Sequence, residues 1–182
     1  KSTNAVYGFV TMLRKLQADH QPAHIAASFD LPDETFRARL SADYKANRTA
    51  MPDDLKEQIA WVHEACEAMG VPIFTMPGFE ADDVIGTLAK KAAAAGYQVA
   101  IVTGDKDFFQ LVGDGIRVFN PKYDGTWYDA DGVVEKFGVR PASIPDWLAL
   151  VGDSADGFPG IPRWGAKSAA TVDKLSNGRF VL

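Results

Sequence analysis

The chain has 182 residues, 47% of them hydrophobic and 24% charged, which is the composition of a soluble globular domain. It contains no apolar run long enough to span a bilayer, and its first residues lack the basic and apolar regions of a signal peptide, so we expect neither a membrane protein nor a secreted one. A single cysteine cannot form an internal disulfide, which favours a reducing, cytoplasmic setting, and the net charge of −5 by itself disfavours a nucleic-acid partner.

The first part of the chain predicts two amphipathic helices and two short strands. Apolar residues at helical spacing indicate one helix over residues 4–18 and another over residues 52–69, whose apolar face includes the single cysteine. The stretch HIAASFD, residues 24–30, reads as a buried strand that ends in an acid, and VPIFT, residues 71–75, reads as a short strand. Residues 31–51 lack clear periodicity and are rich in arginine, lysine and aspartate, which is typical of a connecting segment.

The second part continues the alternation of strands and helices. A helix is predicted over residues 81–95, where Gly96 is a good stop signal, and YQVAIVTGD, residues 97–105, is the best strand of the chain. IRVFN and TWYD predict a hairpin near the sheet edge, and DGVVEKFG and PASIPDWLALVGD read as helices. The pattern predicts an α/β fold with a mostly parallel central sheet flanked by helices.

Acidic residues follow the predicted strands and helices at several points. The carboxyl ends of parallel strands share one edge of a sheet, so these acids can face a common rim. They are Asp30, Glu80, Asp82, Asp83, Asp105, Asp107, Asp153 and Asp156. One or two acids at a helix start need only the helix dipole as explanation, but eight in one pocket cannot all ionise without cations. An all-carboxylate set suits Mg²⁺ or Mn²⁺, and two such ions about 4 Å apart would assist a phosphodiester displacement.

The net charge takes a different meaning once this pocket is set aside. Removing eight of the 24 acidic residues leaves 16, against 19 basic ones, so the rest of the chain is mildly basic. The stretch TFRARLSADYKANR, residues 35–48, interleaves cations with aromatic residues, as in proteins that bind nucleic-acid strands. On composition alone, a solvated loop with scattered charge is the favoured interpretation. The position of the stretch directly after the strand that ends at Asp30 favours nucleic-acid binding.

The stretch PGIPRWGAKSAA, residues 159–170, is not a Walker phosphate loop, because Ala166 separates the second glycine from Lys167. We expect two short helices joined by a tight turn near residues 163–165. Backbone N–H groups at the start of the second helix would bind a phosphate, and Lys167 would add a charge. An ordinary helix–turn–helix corner is the alternative.

Four motifs together resemble a known family. SFD followed by TFRARLSADYKANR, then GFEADDVIGTLA, VTGDKDFFQLV and GDSADGFPGI, occur in the order found in the 5′-nuclease family, which includes the 5′→3′ exonuclease domain of bacterial DNA polymerase I and the flap endonucleases. The resemblance covers residues 3–170. It implies a divalent-metal-dependent nuclease acting on 5′ flaps, nicks and ends of DNA, with a mixed-sheet α/β core, a helical arch and a helix-hairpin-helix.

The resemblance also implies a role for each matching residue. The eight acids would hold the metals, Lys45 and Arg48 would contact the scissile phosphate, and Tyr44 would stack on a terminal base. Residues 159–170 would hold duplex DNA and a K⁺ ion. The DNA-binding set expected from the arch and this segment is Arg37, Tyr44, Gly160, Arg163, Gly165, Lys167 and Ser168.

These expectations give a domain division and two alternatives. We expect a nuclease core over residues 1–140, with the arch near 31–55, and a helix-hairpin-helix region over 141–182. Expected partners are branched or nicked DNA and a DNA polymerase, for a monomer in the bacterial cytoplasm near the nucleoid, with no membrane contact. The family's first strand carries a metal-binding aspartate that lies before this chain, and Arg163-Trp164-Gly165 replaces its Gly-hydrophobic-Gly turn. The alternatives are a non-catalytic DNA-junction binding module and a PIN-type ribonuclease.

Overall fold

The computed structural model describes residues 2–41, 44–46, 51–122 and 125–175. Residues 173–175 are described by their backbone only. Clustering of contacts divides the chain into two compact units, Lys1–Thr35 with Arg48–Val84, and Phe36–Asn47 with Ile85–Leu182. The chain passes between the units after residues 35, 47 and 84, and the last of these points lies inside the helix Ala81–Ala94. The division of the chain into a core and a C-terminal DNA-binding region concerns function, and it stays a prediction.

Seven α-helices and five strands are formed by the described residues. In chain order they are α1 (Asn4–His20), β1 (Ala27–Ser28), α2 (Phe36–Leu40), α3 (Asp53–Ala68), β2 (Ile73–Phe74), α4 (Ala81–Ala94), β3 (Val99–Val102), β4 (Ile116–Asn120), β5 (Thr126–Tyr128), α5 (Ala130–Phe137), α6 (Ile144–Val151) and α7 (Ala166–Leu175). Two 3-10 helices, Lys106–Leu111 and Pro141–Ser143, complete the set. The described helices include none that is long and apolar enough to cross a membrane.

The first unit is a pair of helices packed beside a two-stranded parallel sheet. Leu13 of α1 and Cys66 of α3 are buried in its core, so the cysteine is a core residue, as its place on the apolar helix face predicted. The side chain of Gln58 is also buried and its Oε1 accepts from the backbone N of Ala5 at 2.7 Å, which satisfies a free donor at the start of α1. In the sheet, β1 pairs with β2 in parallel, with Ala27 opposite Ile73.

The second unit is built on a three-stranded sheet in the order β3-β4-β5. β3 and β4 are parallel, and β4 and β5 form the antiparallel hairpin that the sequence predicted at the edge. Ile101, Val118 and Val133 lie in one apolar core with Trp147 of α6 and Ala169 of α7. The segment after residue 140 is therefore packed into the same core as the strands.

The α/β class and the mainly parallel pairing are confirmed, but three details of the prediction are wrong. The described strands form two small sheets rather than one central sheet, and the strand expected over 24–30 contains only two paired residues. The apolar residues of this stretch predict burial, but they do not specify which backbone groups find a hydrogen-bond partner. The first of the two short helices expected in 159–170 is also missing. Prolines without N–H donors and Gly160 at φ 65° oppose it.

Candidate functional site

The first acidic element of the second unit begins where β3 ends. The Oδ1 atom of Asp105 accepts from the backbone N of Asp107 at 2.9 Å and so caps the 3-10 helix Lys106–Leu111. Phe108 and Phe109 of this helix are buried in the core. The capped start and the buried aromatic rings fix the backbone of this short helix, and so the direction in which the Asp107 side chain projects from it.

The second acidic element is the loop after α6. The backbones of Asp153 and Phe158 exchange two hydrogen bonds of 2.8 Å each, and the Asp153 Oδ1 atom accepts from Ala155 N at 3.0 Å. The loop closes where Gly152 meets Gly160: a Cβ atom on Gly160 would lie 2.5 Å from the Gly152 nitrogen. Both glycines also have positive φ, which favours glycine over other residues. The two glycines therefore allow the two backbone segments to approach closely, and this contact positions Asp153 and Asp156.

These two elements bring three carboxylates together. Asp107, Asp153 and Asp156 each present an oxygen, and these oxygens all lie within 4.8 Å of one another. Lys106 approaches the same group, with its Nζ atom 3.1 Å from Asp153 Oδ2. Lys106 is not among the residues predicted from the sequence, although its position between two acids in the stretch GDKD is the signal that identifies it.

Electrostatics at this cluster disfavour the ionised form of Asp107. Burial, followed by repulsion from Asp105, Asp153 and Asp156, raises the pKa of Asp107 from its usual 3.8 to about 6, while Lys106 acts in the opposite direction. The Oδ1 atom of Asp107 is buried and has no hydrogen-bond partner among the described residues.

A hard divalent cation fits this set of donors. It takes oxygen ligands, it would offset two of the three negative charges of the carboxylates, and it would give the Asp107 Oδ1 atom a partner. A buried carboxylate oxygen left alone is costly, so the unpartnered oxygen is the observation that favours a cation over a set of acids that merely cap helices. The same donors suit Mg²⁺ and Mn²⁺.

Four further predicted metal ligands, Asp30, Glu80, Asp82 and Asp83, belong to the first unit. The Asp30 Oδ1 atom accepts from Ala81 N at 2.7 Å, and the Asp83 Oδ2 atom accepts from Glu80 N at 3.0 Å. Both contacts lie at the start of α4, where free N–H groups and the helix dipole favour negative charge. Glu80 is buried and Asp82 is exposed. Here the capping role is observed directly, and a metal role for these four residues stays a prediction.

Part of the basic segment contacts the acidic loop within the second unit. The backbone N of Lys45 donates to the Asp156 carbonyl oxygen at 3.3 Å, and the Lys45 ammonium lies 4.9 Å from the centre of the Tyr44 ring. Lys45 has φ 54°, a left-handed conformation that is costly for a residue with a side chain. Arg37 lies in α2 with its guanidinium 4.6 Å from the Phe36 ring centre. Arg48 lies outside the described residues.

The expected duplex-binding turn precedes α7. Arg163 is exposed in the left-handed region, at φ 69°, and Trp164 packs against the core. Gly165, Lys167 and Ser168 are exposed at and just beyond the start of α7. This arrangement leaves N–H groups and a cation at a helix start, as predicted, and DNA binding by these residues and by Gly160 stays a prediction.

Known proteins with similar sequences include a DNA polymerase I and a 5′-3′ exonuclease. The DNA polymerase I of Mycobacterium bovis is 47% identical over 172 residues, which are 93% of this chain and 19% of that protein. A 5′-3′ exonuclease of Aquifex aeolicus is 44% identical over 172 residues, 94% of this chain and 59% of that protein. The chain therefore spans about a fifth of the polymerase and about three fifths of the exonuclease.

Solved structures place the fold among nucleases. The flap endonuclease of bacteriophage T5, in a complex with DNA and metal ions, aligns with a TM-score of 0.77 at 22% identity, over 93% of this chain and 66% of that one. The family model described as 5′-3′ exonuclease, N-terminal resolvase-like domain, matches residues 1–138. The chain belongs to this family of 5′-3′ exonuclease N-terminal domains.

Proposed function

We propose that this chain is a structure-specific 5′ nuclease domain, which hydrolyses phosphodiesters at 5′ flaps, nicks and ends of DNA with Mg²⁺ or Mn²⁺. The single observation that carries the proposal is the group of Asp107, Asp153 and Asp156, whose oxygens lie within 4.8 Å of one another. The loop of Asp153 and Asp156 also binds the backbone of Lys45. Family membership supports the reaction class, and the Aquifex aeolicus relative is named as a 5′-3′ exonuclease.

The chain's residues divide into those that hold cations and those that hold the phosphate. When bound, the divalent ions would polarise the phosphate and lower the pKa of a water molecule. Asp107, Asp153 and Asp156 would hold a cation in the second unit. In the first unit, taken by itself, we propose Asp30, Glu80, Asp82 and Asp83 as cation ligands. Asp105 would orient Asp107 through the cap of the 3-10 helix.

Basic residues would act on the substrate. The Lys45 side chain would stabilise charge that develops on the phosphate oxygens, because it is anchored through its backbone to the loop of Asp156. Arg48 would assist it. Ends and flaps offer unpaired nucleotides at low cost, which gives selectivity for structure without reading a sequence.

Duplex DNA and other partners complete the proposal. The turn at Arg163 and the start of α7, with Lys167 and Ser168 exposed, would contact the phosphates of the duplex, and K⁺ would bind at this turn. Because the DNA polymerase I relative extends far beyond the matched region, we propose a polymerase domain as a partner, in a bacterial cytoplasm and close to the nucleoid.

A flap-cleavage assay tests the proposal. The chain should cleave a 5′-flap DNA in Mg²⁺ or Mn²⁺ and be inactive in EDTA. Asp105→Ala and Asp83→Ala should abolish cleavage while flap binding survives, and Lys45→Ala should slow the single-turnover rate more than it weakens binding. Asp33→Asn, at an exposed loop residue, is the control and should behave as wild type.

Two outcomes would support the alternatives. Flap binding without cleavage in either metal would favour a DNA-junction binding module. Faster cleavage of RNA flaps than of DNA flaps would favour a PIN-type ribonuclease.

A further inference from the structure

An exposed aromatic ring stands in the loop that carries the metal-ligand candidates of the second unit. Phe158 has 55% of its surface exposed, although its backbone is fixed to Asp153 by two hydrogen bonds of 2.8 Å. The loop therefore fixes the backbone that carries the ring and leaves the ring exposed. An exposed phenylalanine on a rigid backbone contributes little to the core, and it offers a π face to a ligand.

A second aromatic residue supports this ring from one side. The centres of the Tyr44 and Phe158 rings are 6.3 Å apart, and the rings are tilted by 47°. That separation is too small to admit a flat base between the rings, so a ligand would stack on the exposed surface of Phe158. Tyr44 also carries the Lys45 ammonium 4.9 Å from its ring centre, which places a cation beside the aromatic pair.

The ligand that suits this surface has a flat ring joined to an anion. The exposed ring of Phe158 provides stacking, Lys45 provides positive charge, and Asp153 and Asp156 of the same loop are the candidates for holding the cation that binds a phosphate. A nucleotide released from base pairing has both parts, and aromatic stacking of single-stranded bases recurs in proteins that bind them.

We propose that Phe158 stacks on the unpaired base next to the phosphate that is cleaved, with Tyr44 supporting its ring. The inference rests on the proposed function and makes it more specific. Stacking accepts every base but favours the larger purine rings, so Phe158 sets a preference for a purine at this position and a dependence on the presence of a base. An abasic nucleotide removes the stacking partner and keeps the phosphate.

The experiment compares Phe158→Leu with wild type on two 5′-flap DNAs, one with adenine and one with an abasic site at the first unpaired nucleotide. Base–aromatic stacking of about 1–3 kcal/mol corresponds to a loss of about 5- to 150-fold. On the adenine flap, we expect the single-turnover rate of Phe158→Leu to be lower than that of wild type by a factor within this range. On the abasic flap, the two rates should be equal. Phe158→Trp should retain the wild-type rate on the adenine flap.

A fluorescence readout separates stacking from a role in folding. With 2-aminopurine at the same nucleotide and EDTA present, wild type and Phe158→Trp should quench the fluorescence on binding, and Phe158→Leu should not. Tyr97→Leu removes an aromatic side chain that is 52% exposed before the start of β3, away from the acids that follow its end, and should behave as wild type.

Equal losses by Phe158→Leu on both flaps, or no loss on either, would overturn this inference while leaving the proposed function in place. A wild-type chain that neither binds nor cleaves a flap would overturn the proposed function and this inference together.

Discussion

Replacing Asp107 by asparagine should stabilise the metal-free protein at neutral pH. The pKa of Asp107 is raised from 3.8 to about 6, mainly by burial and then by the neighbouring aspartates. Without screening, this shift means that the ionised carboxylate lowers the free energy of unfolding by about 3 kcal/mol. The site is not fully buried, so solvent screening reduces this destabilisation to about 1–2 kcal/mol. Asparagine keeps the shape of the side chain and removes the charge.

The pH dependence has a definite sign. The folded pKa of Asp107 is higher than the unfolded one, so wild type loses stability as the pH rises from about 4 through about 6, and the loss is complete above that. Asp107→Asn does not titrate. Its advantage should therefore be absent near pH 4, grow between pH 4 and pH 6, and stay constant up to pH 8.

Thermal unfolding in EDTA at pH 4, 5, 6 and 8 measures this difference. At pH 8 a gain of about 1–2 kcal/mol should raise the Tm by about 2–8 °C for a chain of this size, relative to wild type. Adding Mg²⁺ should reverse the order, because a cation that binds only the folded protein stabilises wild type and has lost a ligand in the variant. The reasoning fails if Asp107→Asn is no more stable than wild type at pH 8 in EDTA, or if its advantage is the same at pH 4.

Three further predictions concern the backbone around the two acidic groups. Gly160→Ala should cost at least about 3 kcal/mol of stability, because its Cβ would lie 2.5 Å from backbone atoms, whereas Gly165→Ala, which meets nothing within 4 Å, should stay within about 1 kcal/mol in the same melts. Arg163→Gly should raise stability by about 0.5–1 kcal/mol by relieving φ 69°, and Arg163→Ala, which keeps the strain, should not. Asp83→Ala should lower stability by about 1 kcal/mol through loss of the bond to the Glu80 nitrogen, and unchanged urea unfolding would contradict this.

The spacing of apolar residues along the chain was sufficient to predict the helices and strands that show a regular apolar pattern. The helical spacing in residues 81–95 and the apolar strand before Asp105 predicted α4 and β3 with small errors at the ends. The rule that acids gather at strand ends selected Asp107, and chain order placed Asp153 and Asp156 with it. Those three carboxylates do lie together.

Contacts between distant backbone segments could not be predicted in this way. The loop of Asp153 and Asp156 closes because Gly152 and Gly160 approach each other without side chains between them. Nothing in the sequence around either glycine distinguishes this contact from an ordinary turn. Among the described strands β1 pairs only with β2, and this likewise depends on which strands meet in the folded chain. The contact of Lys106 with Asp153 needs the 3-10 helix, which has no periodic signal in six residues.

The two acidic groups differ in what their charges do for the fold when no cation is bound. Asp30 and Asp83 accept hydrogen bonds from backbone N–H groups at the start of α4, so their charges stabilise the first unit with no cation present. Asp107 has a buried oxygen with no partner among the described residues, and repulsion from its neighbours raises its pKa. A fold selected for stability alone would replace Asp107 with a neutral residue, whereas the capped 3-10 helix and the close approach of two glycines hold it where its charge is unfavourable. Removing the charge of Asp83 should therefore destabilise the protein and removing that of Asp107 should stabilise it, and a bound divalent cation is what would turn the second cost into a gain.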